Sequence, residues 1–162
     1  MVKPCRLQSA LFRLPSRIAM TSIVCIDDNP LVADALARRL SLEKDFSWLG
    51  WLNESDDILA RLGDLAPDLV LVDIDIPGLD AFQLVEDVAQ HLPSMRVVMF
   101  TGYSRPDYLE QALKRGAWGY VSKTVSTQTL LDSLRRVVRG EVVLVEDEDG
   151  AAPDRLRPRG SR

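Results

Sequence analysis

Leu69-Val70-Leu71-Val72-Asp73-Ile74-Asp75-Ile76-Pro77-Gly78-Leu79-Asp80 is the stretch that decides the fold. Four consecutive apolar residues, two of them β-branched, read as a strand buried on both faces, which is how strands of a parallel sheet read. An aspartate stands where that strand must end, and Pro77-Gly78 marks the loop beyond it. Asp80 is placed to cap a following helix, in which Leu84 and Val88 recur at helical spacing. A carboxylate at a buried strand terminus is costly unless a cation or donor stands nearby, which makes Asp73 a candidate nucleophile.

The same unit recurs on either side. Ser22-Ile23-Val24-Cys25-Ile26 precedes Asp27 and Asp28, Val97-Val98-Met99-Phe100 precedes Thr101, and Trp118-Gly119-Tyr120-Val121-Ser122 precedes Lys123. Residues 46–52 read as a further strand. Between the strands, Leu36 and Leu40, Leu109 and Leu113, and Leu130, Leu134 and Val138 keep helical spacing. Asn29-Pro30 is a start signal for a first helix expected to reach about Glu43, and a second is expected over 56–63 with Gly63 as its stop. Arg105-Pro106 opens a fourth helix that Arg115-Gly116-Ala117 closes, and Ser126 or Thr127 opens a fifth that ends at Gly140. Five βα units make an α/β fold, and right-handed crossovers bring the carboxyl ends of all strands to one edge, where ligands bind.

At 162 residues the chain has room for one domain of ordinary core size. A hydrophobic content of 46% with 27% charged residues is that of a globular protein, and no apolar run approaches a membrane span. The net charge of -4 argues against a general nucleic-acid-binding surface. Two cysteines, Cys5 and Cys25, offer neither a disulfide framework nor metal spacing, so a reducing cytoplasm is the simplest setting. Residues 1–20 form a basic leader, broken by Pro4 and Pro15, expected to be disordered or mis-started ahead of Met20. Residues 141–162 are expected to be a linker or disordered tail, acidic at first and then rich in arginine.

Asp27, Asp28 and Asp73, gathered on one edge, make a negative cluster that stays ionised only beside a cation, and hard oxygen ligands of this kind select Mg2+. The acidic pair alone reads equally as helix capping. A metal that holds phosphoryl oxygens lets a carboxylate such as Asp73 attack phosphorus and form an acyl phosphate, with Lys123 as a second cation and Thr101 as a hydroxyl donor.

These motifs, in this order, resemble the receiver domain of bacterial two-component response regulators over residues 21–140. The resemblance implies a flavodoxin-like (βα)5 doubly wound parallel sheet of strand order 2-1-3-4-5. It implies that Asp73 takes a phosphoryl group from the phosphohistidine of a sensor histidine kinase. It further implies that Asp27, Asp28, Asp73 and the Asp75 backbone carbonyl hold Mg2+, and that Lys123 pairs with the phosphoryl group. Thr101 and Tyr120 are by the same resemblance a switch pair, and the chain is a signalling module whose own chemistry is limited to taking and slowly losing phosphate. Ile76, Ala81 and Thr124 depart from common family residues, and Thr124 leaves open whether the peptide after Lys123 is cis. Tyr103, two residues beyond Thr101, is expected to restrict the hydrolytic water.

Gly116 to Lys123 and the ending Val138-Arg139-Gly140-Glu141 look most like regulators with a LuxR-type helix-turn-helix output. About 20 residues follow the fifth helix, too few for such a module, so output is expected through a downstream protein or a homodimer, without direct nucleic-acid binding. Trp118 reads either as a partner anchor or as core, and His91 as surface. The competing readings are a receiver fragment of a LuxR-type regulator, a receiver-like module that accepts no phosphate, and, remotely, a haloacid-dehalogenase-like phosphatase built on Asp73-Ile74-Asp75.

Overall fold

The computed structural model describes residues 19–54, 56–102 and 105–146. The expectations for the basic leader with Cys5, for Tyr103 and for the arginine-bearing residues 147–162 lie outside these. In chain order the elements are β1 (Thr21–Ile26), α1 (Pro30–Leu40), β2 (Phe46–Leu52), α2 (Ile58–Leu65), β3 (Leu69–Val72), α3 (Ala81–His91), β4 (Arg96–Thr101), α4 (Pro106–Lys114), β5 (Gly119–Ser122), α5 (Thr127–Val138) and β6 (Val143–Val145). All strand pairs are parallel and the sheet order is β2-β1-β3-β4-β5-β6, the flavodoxin-like arrangement.

The apolar runs are continuous because the sheet is covered on both faces. Ile23, Cys25, Leu69, Leu71, Val98 and Phe100 enter the core shared with α1 and α5, whereas Val24, Ile26, Val70, Val72, Val97 and Met99 enter the core shared with α2, α3 and α4. With a side-chain period of two, each strand must supply apolar groups at every position.

The helix starts follow their capping residues. Asn29 accepts from the Leu31 N–H with Pro30 as the first helical residue, Asp80 accepts from the Phe82 and Gln83 N–H groups, and Ser126 accepts from the Thr129 N–H. Two stops differ from the sequence reading. α1 ends at Leu40, ahead of Glu43. Gly63 lies inside α2, which starts after the Asp57 cap and ends on Ala66 in the left-handed conformation at φ 46°. A glycine is tolerated within a helix, so it is a stop only where the chain turns left-handed. Gly116 meets that condition: its φ is +104°, and a Cβ there would lie 3.0 Å from that of Ala89.

β6 corrects the expected tail. Val143 and Val145 pair with Gly119 and Val121, the Val143 N–H donates to Trp118 O, and Val143 is fully buried. β5 is therefore an interior strand. Trp118 lies just outside it and packs on the α1/α5 core, with the Arg96 guanidinium 4.6 Å from its ring. His91 is exposed, its Nδ1 2.9 Å from the Asp87 carbonyl oxygen. No described peptide bond is cis, so that after Lys123 is trans. Among the described residues no helix is long and apolar enough to cross a membrane.

Candidate functional site

The carboxyl ends of β1, β3 and β5 lie together, and each delivers one charged group. Register places Asp27 and Asp73 one step beyond the paired Ile26 and Val72, and the Asp73 N–H extends the ladder by donating to Ile26 O at 2.9 Å. The Lys123 N–H donates to Thr101 O at 2.8 Å, one step beyond the Thr101–Ser122 pair. The short, inextensible strands thus set these side chains on a common rim.

Lys123 Nζ donates to Asp27 Oδ2 at 2.6 Å and to Asp73 Oδ2 at 2.9 Å. Both aspartates are almost fully buried, at 1% and 7% exposure, where a carboxylate without a partner would be strongly unfavourable. Burial pulls the Lys123 ammonium down, but its hydrogen bonds to Asp27 and Asp73 outweigh that and hold it above the ordinary lysine range, so it is charged at neutral pH. Asp73 Oδ1 takes a longer bond, 3.3 Å, from the Asp75 N–H.

Asp28 stands exposed beside this pair. Asp27, Asp28 and Asp73 each offer an oxygen within 4.8 Å of the others. Three carboxylates against one ammonium leave an excess of two negative charges, and the donors are all hard oxygens with one side open to water. That donor set fits a small divalent cation such as Mg2+. The alternative of helix capping belongs to neither aspartate, since Asn29 caps α1. Asp27 instead turns back, its Oδ1 accepting from the Asn29 N–H at 2.9 Å.

Thr101 and Tyr120 are both fully buried, and Tyr120 lies inside the core shared with α2, α3 and α4. Burial pushes its phenol above the ordinary range, a hydrogen bond from the Arg105 backbone opposes this, and the Glu146 and Asp107 carboxylates push further upward. Asp75 is exposed next to the cluster.

One contact had no sequence signal. The Trp51 indole N–H donates to the Asp27 carbonyl oxygen at 2.7 Å. Trp51 is a strand residue, and nothing in its neighbourhood in the chain marks it as belonging to the rim.

The response regulator receiver domain family matches residues 23–135. The nitrate/nitrite response regulator NarL of Escherichia coli K12 is 30% identical over 125 residues, 77% of this chain and 58% of that protein. A transcriptional regulatory protein of Bacillus subtilis, YxjL, is 26% identical over 121 residues, 75% of this chain and 56% of that protein. This chain therefore spans little more than half the length of these relatives. Among solved structures, the signal receiver domain of a NarL response regulator from Mycobacterium tuberculosis superposes with a TM-score of 0.70 at 25% identity, over 76% of this chain and 99% of that one.

Proposed function

The chain belongs to the response regulator receiver domain family, and from that premise we propose that Asp73 is its phosphoacceptor, charged by the phosphohistidine of a sensor histidine kinase in the cytoplasm. The observation that carries this is Lys123 bridging the buried Asp27 and Asp73, with Asp28 completing an oxygen cluster beside them. An Asp73 carboxylate oxygen forms a bond to phosphorus as the P–N bond to the donor imidazole breaks. The products are an acyl phosphate and a neutral imidazole, the latter after uptake of a proton.

Asp27, Asp28 and Asp73, with the Asp75 carbonyl, would hold Mg2+, which when bound screens the negative charge of the incoming phosphoryl group. Lys123 gives up one of its two carboxylate partners and follows the phosphoryl oxygens, and the Thr101 hydroxyl turns to a third. Asp27, bonded at both side-chain oxygens, keeps the rim in place while this happens.

Phosphorylation then acts as a population shift on Thr101 and Tyr120. A hundredfold change in occupancy needs about 2.7 kcal/mol of differential interaction, which one or two charge-assisted hydrogen bonds supply. The surface formed by α4 and α5, with β6 laid along β5 between them, is the reading side, for a downstream protein or for a second copy of the chain. The similarity to LuxR-type regulators supports a second reading of the output, in which the phosphorylated receiver governs a DNA-binding module. The phosphatase reading has no support, since it leaves Asp27, bonded to Lys123, without a role.

The test is intact-mass spectrometry with Mg2+ and acetyl phosphate. One phosphoryl adduct is expected, lost in Asp73→Ala and on chelation of the metal. An unmodified chain, or an adduct that survives Asp73→Ala, would refute the assignment.

A further inference from the structure

We propose that Trp51 is a positioning residue for the metal-binding acids, acting through the backbone of Asp27. The inference rests on the reading of Asp27, Asp28 and Asp73 as Mg2+ ligands and concerns what holds them ready.

The argument begins with the register of β2. Ile23 pairs with Trp48 but Val24 pairs with Gly50, so Leu49 is an extra residue, left 38% exposed. In a regular strand, positions 48 and 51 would fall on opposite faces, because the side-chain period is two. The extra residue reverses the phase. Trp51 consequently pairs with Cys25, and both tryptophans share the face on which Ile23 and Cys25 lie. Gly50 adopts φ +151°, which side chains rarely tolerate, and gives the strand the freedom to do this.

The consequence of the phase change is the 2.7 Å bond from Trp51 Nε1 to Asp27 O. The peptide that follows Asp27 carries Asp28, so fixing the Asp27 carbonyl fixes the plane from which Asp28 departs. The opposite side of Asp27 is fixed by its N–H, which donates to Leu52 O at 3.2 Å. Two consecutive residues of β2 therefore grip both backbone groups of one acid, and the acid's side chain is left to Asn29 and Lys123. The indole dipole also removes a carbonyl lone pair from an edge that already has more negative than positive groups. Partners that orient ligands from outside the metal's own shell commonly change affinity about tenfold or more.

The test compares Trp51→Phe, which keeps the ring and loses the N–H, with Trp48→Phe, which changes the other tryptophan on the same face. Calorimetric Mg2+ titration of the full chain is expected to show about tenfold weaker binding in Trp51→Phe and wild-type binding in Trp48→Phe. Without metal, amide exchange at Asp28 and Asn29 is expected to quicken only in Trp51→Phe. In the wild type, the Trp51 indole N–H resonance should shift with the same midpoint as the calorimetric titration, a readout that survives even if the variant folds poorly. Wild-type affinity in a folded Trp51→Phe, or an indole resonance unmoved by Mg2+, would overturn the positioning role alone. A wild-type chain that binds no Mg2+ would overturn the metal reading and this inference together.

Discussion

Two ionic clusters sit at opposite edges of the same sheet, and they use similar charges to different ends. At the carboxyl edge one lysine faces three aspartates, and two of these are buried. At the amino edge Arg135 of α5 meets Glu43, Asp45 and Asp132, and Arg39 shares Glu43. The second cluster is more exposed, with Asp45 at 35% and Asp132 at 58% against 1% for Asp27. Arg135 also binds Asp45 through two nitrogens, at 2.7 and 3.1 Å, and lies 5.4 Å from the Phe46 ring. Where water and a planar fork are available, excess negative charge is dissipated and ties α5 to the turn before β2. Where two of the carboxylates are withdrawn from water and share a single ammonium, the excess persists, and it is the feature on which the proposed cation site rests.

The largest effects are expected at the buried cluster. Lys123→Met leaves three carboxylates without a cation and should lower stability by about 3 kcal/mol in chelator, with much of the loss recovered on adding Mg2+. Asp73→Ala should do the reverse: it leaves Lys123 and Asp27 as a one-to-one pair and should raise stability by about 1 kcal/mol while ending phosphoacceptance. Denaturant titration with and without Mg2+ checks both signs. A stabilised Lys123→Met, or an Asp73→Ala variant weaker than wild type, would break the contrast between the two edges.

Arg135→Ala should cost less, about 1 to 2 kcal/mol, and leave the Asp73 adduct unchanged. Its pH dependence has a definite sign. The hydrogen bond from Arg135 holds the Asp45 carboxyl below its ordinary value, with burial opposing. The unfolded chain therefore takes up the proton first. The part of the margin of wild type over Arg135→Ala that Asp45 supplies is complete above the unfolded value of about 3.9 and is lost as pH falls through the lower folded one. Melting curves of both proteins from pH 6 to pH 3 should converge, and parallel curves would show that Arg135 acts by packing on Phe46 instead.

Much of the carboxyl edge was legible because its residues follow the strands directly in sequence. A buried run that ends in an acid or a lysine states both its place and its cost, so Asp27, Asp73 and Lys123 could be gathered from topology alone. Caps were equally readable at Asn29, Asp80 and Ser126, since each bonds within its own first turn. What escaped depends on pairing between distant segments. The extra residue at Leu49 has no composition of its own, yet it decides which way Trp51 faces. β6 is three residues long beside an acidic run, and its place in the sheet comes from its pairing with β5. The Arg135 cluster joins residues 92 positions apart through a single arginine, and an arginine late in a helix announces nothing of its partners. Tyr120 was placed as a residue that turns inward, and it is buried beneath a sheet edge that β6 has covered.

The smallest expected effect separates the two clusters by their exposure. Raising salt from 0.1 M to 1 M shortens the screening length from about 10 Å to about 3 Å, which weakens exposed pairs and barely reaches buried ones. The stability margin of wild type over Arg135→Ala should therefore shrink by a few tenths of a kcal/mol. That over Lys123→Met should hold in the same chelator-containing buffers, because Asp27 and Asp73 are withdrawn from solvent. Sodium chloride is the appropriate salt, since sulfate would strengthen the hydrophobic core in every variant. Equal shrinkage of both margins would mean that water enters the carboxyl edge freely. In that case its excess negative charge would be screened like that of the amino edge, and burial would no longer distinguish the two clusters.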